Sequence, residues 1–113
     1  MAKVHWKGST LLAPVPAALV TCGTMEKANI ITIGWTGIVN THPPMTYISV
    51  RPERYSHDII IETGEFAINL TTSAMSRKTD YCGAKTGRKT DKFKECGFHK
   101  AEAEKISAPL IEE

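Results

Sequence analysis

The sequence predicts a mainly β fold with short helices, and three observations carry that reading. Short runs of β-branched and apolar residues alternate in polarity at period two, and Gly and Pro punctuate them at close intervals. Helical periodicity appears only in stretches too short for the crossover helices of parallel βαβ units. A partly antiparallel barrel is therefore favoured over a doubly wound sheet. At 113 residues the chain is read as one domain, 1–113, able to bury a single core.

The first strand is expected over Ala17–Thr24, an apolar and β-branched run that ends on Gly23. After a turn carrying Met25–Ala28, a strand over Asn29–Val39 opens with Ile31 and Ile33 on one face and Thr32 on the other. Gly34 and Gly37 flank Trp35-Thr36, so the chain can bend there or approach another backbone or ligand. Pro43-Pro44 forces an extended connection into a strand over Met45–Arg51. The period then changes. Tyr55, Ile59 and Thr63 at spacing four predict a helix, with Ser56 as its N-cap, Asp58 in its first turn and Gly64 as its stop. Phe66–Thr71 reads as a buried strand and Ser73–Cys82 as a short helix ended by Gly83. Lys85–Lys92 reads as a polar loop, Asp91–Glu95 as a further helical turn, and Phe98–Glu104 as a last strand. This makes about five strands, against roughly six to eight in a small closed barrel. Ala108–Glu113 reads as the start of another element, so the chain is expected to be a fragment.

The apolar fraction of 42% and charged fraction of 23% are those of a globular domain, which argues against disorder. A formal charge of +2 calls for neither nucleic acid nor membrane as a partner. No signal peptide is expected, because Pro14 and Pro16 interrupt the Leu11–Val20 segment. Cys22, Cys82 and Cys96 are odd in number and lack CxxC spacing, so a reduced cytoplasmic compartment is expected, with the three as small buried apolar residues. His5, His42, His57 and His99 show no metal-ligand spacing, and nothing orders a Ser/His/Asp or Cys/His triad.

Four segments carry side chains suited to a ligand. Asn29–Thr36 sets amide and hydroxyl groups beside the Trp35 indole, a surface for a planar ligand with hydrogen bonds from Asn29, Thr32 and Thr36. An ordinary amphipathic strand with one core Trp has the same pattern. Arg51–His57 places two guanidinium groups and the Ser56 hydroxyl at a strand-to-helix junction, where free N–H groups suit a phosphate. A capped helix preceded by solvated arginines reads equally well. Lys85–Phe93 is a basic run, either a solvated loop or a contact surface for nucleic acid, phosphate or, through Lys92, a flavin. Asn69-Leu70-Thr71-Thr72 ends a buried strand with polar groups that either meet a ligand or cap the next helix.

Taken in order, five segments together resemble the flavin reductase-like family, in particular its flavoredoxin and ferric-reductase branch. They are Pro16–Gly23, Asn29–Gly37, Pro43–Arg51, Tyr55–Ile60 and Gly64–Leu70, with Asp80–Gly83 and Asp91–Phe93 fitting further on. The resemblance implies a six-stranded Greek-key FMN-binding split β-barrel, completed C-terminally in longer family members, and a homodimer with FMN near the subunit interface. It implies that Asn29, Thr32, Trp35 and Thr36 line the flavin and ribityl chain. Arg51 and Ser56 would contact the phosphate, Asn69 and Leu70 would neighbour the ribityl or ring, and Lys92 would reach FMN from the loop.

The function so implied is an FMN-dependent oxidoreductase passing electrons from NAD(P)H, or from a reduced partner protein, through the flavin to an acceptor. The cofactor does the chemistry, so no catalytic side chain is assigned. No GxGxxG fingerprint is present, so NAD(P)H would dock transiently over the flavin. Two other readings stand beside it: a flavoredoxin-type carrier without NAD(P)H activity, and a truncated, flavin-free interaction module.

Overall fold

The computed structural model describes residues 1–113, and its framework is a three-stranded antiparallel sheet. Strand β1 (Ala18–Gly23) lies between β2 (Ala28–Ile33) and β5 (Ala67–Leu70), in the order β2-β1-β5. Every residue of β1 is buried, as its apolar and β-branched run requires of a central strand. Register sets the two faces. Val20 opposes Ile31 and Ile68, and these pack with Ile33, Ile48, Val50 and Phe66. Leu19 and Ile30 face the other way, into a cluster with Met75, Cys82, Phe93, Cys96, Phe98 and Ile111.

The run expected as one strand over Asn29–Val39 is two. β2 stops at Ile33 and β3 (Thr36–Thr41) begins after a bend at Gly34-Trp35, pairing with β4 (Pro44–Ile48) as a separate ribbon. A register shift between Ile38 and Asn40 bulges that ribbon. Ile38, Val39, Met45 and Tyr47 are exposed on it.

Helix α1 (Tyr55–Thr63) ends as expected on Gly64 at φ 70°, whose N–H donates to the Ile60 carbonyl. Its N-cap, however, is Arg54, with no side-chain cap bond, and Ser56 sits inside the first turn. A 3₁₀ turn (Ser73–Met75) leads into α2 (Ser76–Ala84), which runs through Gly83 instead of stopping there. The physical reason is packing. A Cβ on Gly83 would lie 3.1 Å from the Thr32 Cβ, so this glycine lets α2 press against β2. Helix α3 (Lys92–Cys96) is capped by the Asp91 side chain, which accepts from the Lys94 N–H, and ends on Gly97. The last strand shrinks to β6 (Lys100–Ala101), paired with β7 (Leu110–Ile111).

The three sheets do not close into a barrel. The Cα radius of gyration is 15.6 Å, against about 13 Å for a compact chain of this length. The projecting ribbon and the exposed N-terminal segment, 1–17, account for the excess. No helix is long and apolar enough to cross a membrane.

Candidate functional site

β2 is the edge strand of the central sheet, and the site is built along it. Asn29 and Ile31 point to the Val20 face by register, toward the start of α1. There the Asn29 Nδ2 donates to the Ser56 Oγ at 2.8 Å, and both side chains are buried. Ser56 thus ties the first turn of α1 to the strand instead of capping its own helix. α1 has no side-chain cap, and although the His57 N–H donates to the Arg54 carbonyl at 3.0 Å, the first turn keeps N–H capacity for an outside acceptor.

Lys92 reaches the same place from α3. The residue is only 3% exposed, yet its Nζ donates to the carbonyls of Ile30 and Cys82, each at 2.7 Å. One bond satisfies a carbonyl of the edge strand and the other holds the end of α2. Two of the three ammonium N–H donors are thereby used. Burial lowers the Lys92 pKa from 10.5 to about 8, the nearby Arg54 charge pushing the same way and the Cys82 thiol opposing.

Asn29, Ser56 and Lys92 meet at a cavity of about 370 Å³. Its remaining walls are Ile31, Glu53, Arg54, Tyr55 and the 84–89 segment. Five cationic side chains, Arg54, Lys85, Arg88, Lys89 and Lys92, line it against the single carboxylate of Glu53. Arg54 donates to the Gly83 carbonyl at 2.7 Å. Arg88 lies over the Tyr55 ring, 5.4 Å from its centroid, and donates to the Glu53 carbonyl. The 84–89 wall is pressed close: a Cβ on Gly87 would fall 2.3 Å from the Asn29 Oδ1 and 2.5 Å from the Tyr55 ring. Only glycine lets the backbone approach the strand so nearly.

A second cavity of about 240 Å³ adjoins the first, sharing Ile31 and Arg54 as lining. It is formed by Thr32, Ile33, Gly34, Trp35, Ser49, Val50 and Arg51. Trp35 is half exposed at its mouth, and the Arg51 guanidinium is paired at 3.5 Å with Glu53. The Thr32 hydroxyl is bonded to the Thr79 carbonyl of α2.

The structure therefore groups Asn29, Ser56 and Lys92 at one cavity and Thr32, Trp35 and Arg51 at the next. Thr36 lines neither; its hydroxyl donates to the Tyr47 carbonyl at 2.7 Å within the ribbon. Asn69 lies on the Leu19 face, opposite Asn29. There it donates to the Leu19 carbonyl and the Thr21 hydroxyl, and accepts from the Ile111 N–H at 3.0 Å, holding the C-terminal strand. Leu70 is exposed at the far edge strand. Among the cavity residues that the sequence did not single out are Arg54, Tyr55 and Gly87. The first two sit in the Arg51–His57 junction and the third in the basic Lys85–Phe93 run, so the segments signalled them but the spacing could not single them out.

Residues 11–113 match the family model described as the flavin reductase like domain. A protein of Pyrococcus abyssi with no assigned role is 29% identical over 107 residues, covering 95% of this chain and 61% of that protein. The flavoredoxin of Desulfovibrio vulgaris (Miyazaki F) superposes with a TM-score of 0.91 at 32% identity, over 99% of this chain and 62% of its own. A flavoredoxin from Methanosarcina acetivorans gives 0.88 at 34% identity, over 99% and 59%. This chain thus spans about three-fifths of the length of the relatives it matches. Strands with short helices on a split-barrel framework are the architecture it shares with them. The chain belongs to the flavin reductase-like domain family.

Proposed function

We propose that this chain binds FMN and serves an FMN-dependent redox protein. The observation that carries this proposal is the adjacency of the two cavities, which share Ile31 and Arg54 as walls. One is cationic, walled by a helix N-terminus, and the other is less charged and carries an indole at its mouth. A phosphate ester attached to a planar aromatic system matches that sequence of environments. Similarity to two flavoredoxins at over 30% identity supports the same cofactor.

The residues fit such a group. Lys92 has one N–H beyond its two carbonyl bonds, Ser56 lies in an uncapped first turn, and Arg54 adds a guanidinium. These three would hold the phosphate, with Lys85, Arg88 and Lys89 raising the local positive potential. Asn29 would orient Ser56, and Thr32, Trp35 and Arg51 would border the ring. Thr36, Asn69 and Leu70 fall outside this set. When bound, FMN supplies the one- and two-electron chemistry. The chain's own part is to bind it, exclude water along the Val20 face, and present N–H and cationic groups to developing negative charge.

The reading includes a homodimer, with the exposed apolar ribbon of Ile38, Val39, Met45 and Tyr47 available for burial, and a cytoplasmic setting. The electron donor is NAD(P)H or a reduced protein. The flavoredoxin similarity favours the second, a carrier without NAD(P)H oxidation.

The test is the visible spectrum of the purified chain before and after FMN addition and desalting. Retained flavin bands support the proposal. A preparation that stays colourless with added FMN overturns it in favour of a flavin-free module. Anaerobic mixing with NADH then separates the two redox readings, because only a reductase bleaches.

A further inference from the structure

The wall of the cationic cavity is strung between two thiols that face each other. Cys82 lies in the last turn of α2 and Cys96 ends α3, and their sulfurs are 3.7 Å apart. Both are free, as is Cys22. Between them in sequence run Lys85, Thr86, Gly87, Arg88 and Lys89, which line the cavity. The carbonyl of Cys82 also holds the Lys92 ammonium. The close fit of Gly87 against Asn29 and Tyr55 shows how little room the wall has to shift.

We infer that Cys82 and Cys96 form a dithiol site that a hydroperoxide oxidises to an intramolecular disulfide, clasping the cavity-lining segment at both ends. The sulfurs need to close from 3.7 Å to about 2.05 Å. The Cys96 sulfur, on the more accessible residue at 8% exposure against none for Cys82, attacks the peroxide oxygen. The O–O bond breaks, alcohol or water leaves, and Cys96 becomes a sulfenic acid. The Cys82 sulfur then attacks the Cys96 sulfur, an S–S bond replaces the S–O bond, and hydroxide departs with the Cys82 proton as water. In sum, two thiols and one hydroperoxide give one disulfide, one alcohol (or water) and one water, the thiols losing two electrons and two protons. Desolvation, followed by the neighbouring Cys96, pushes the Cys82 thiol up to about 12, so it stays protonated until the second step. The reaction is correspondingly slow. It answers sustained oxidant and needs no bound flavin.

The folded full-length chain is incubated with hydrogen peroxide, quenched, denatured and alkylated, and its free thiols are counted by mass. The expected result is a fall from three thiols to one, the survivor being Cys22, with full recovery on dithiothreitol. Peptide mapping should join the Cys82 and Cys96 peptides, and trypsin should cut more slowly after Lys85, Arg88 and Lys89. Cys22→Ala should oxidise as the parent does, and Cys96→Ala should retain both remaining thiols. Three thiols surviving in the folded protein would mean the pair is only packing. Cross-linking through Cys22, or sulfinic acid at Cys96 without a disulfide, would equally overturn the inference, as would unchanged tryptic cleavage of an oxidised chain for its clasp. Should Cys96→Ala not fold, the map of the unsubstituted chain decides alone.

Discussion

Lys92 offers the most direct test of the cavity's electrostatics, through the pH dependence of stability. Its pKa falls from 10.5 to about 8 on folding, chiefly because the ammonium is buried. Between those values the unfolded chain holds a proton that the folded chain has released, so stability rises with pH across the window. The shift corresponds to an upper bound of about 3 to 4 kcal/mol, at roughly 1.4 kcal/mol per pH unit. Nζ lines a water-accessible cavity, so about half of that is expected in practice. The thiols of Cys22 and Cys82 act with the opposite sign. Their raised folded values keep them protonated while the unfolded thiols ionise, so stability falls above their ordinary value of 9.0. Both thiols remain in Lys92→Met, so the difference between the two profiles isolates Lys92, which should add about 0.5–1 kcal/mol between pH 7 and 9. Urea unfolding at half-unit steps, for the parent and for Lys92→Met, measures it. The parent should gain stability relative to Lys92→Met through the interval. A phosphate anion in the cavity should restore the amine's pKa and flatten the parent's rise. Parallel profiles for the two proteins would refute the picture of a buried, charged and strained amine.

Three further outcomes follow from the geometry. Gly87→Ala places a methyl 2.3 Å from the Asn29 Oδ1, so the 84–89 wall must move. We expect a stability loss of about 1–3 kcal/mol in urea unfolding and a parallel loss of FMN retention. Ser56→Ala leaves the buried Asn29 amide without its acceptor, costing about 1–2 kcal/mol, and it should weaken FMN binding measured by fluorescence quenching roughly tenfold. Ile38→Thr, on the exposed ribbon, should leave the monomer's stability within about 0.5 kcal/mol. If the ribbon buries itself against a second copy, the same change should shift the sedimentation profile toward monomer.

Much of the framework was legible in local pattern. The β1 run is apolar or β-branched up to its glycine because both its faces and both its edges are covered. The four-residue spacing of Tyr55, Ile59 and Thr63 with Gly64 behind it marks α1, since helix period and a left-handed stop are local properties. The same locality explains the misreadings. Gly83 has the sequence of a helix stop, yet its missing Cβ serves contact with Thr32, fifty-one positions earlier in the chain. Ser56 has the sequence of an N-cap, but its hydroxyl answers Asn29 across the sheet edge.

The site divides in the same way. The segments Asn29–Thr36, Arg51–His57 and Lys85–Phe93 stand out by residue type alone, because amides, guanidinium groups and an indole are costly to keep near a core without a use. Sequence also determines which face of β2 each residue takes, since alternation fixes it. Only the tertiary structure decided that Asn29, Ser56 and Lys92 share a cavity while Asn69 turns away from it. Strand register across β1 sets opposite faces for the two asparagines, and register is a property of paired strands, not of either one. The burial of Lys92 likewise depends on three elements converging on one amine: β2 and α2 give it their carbonyls, and α3 carries it to them.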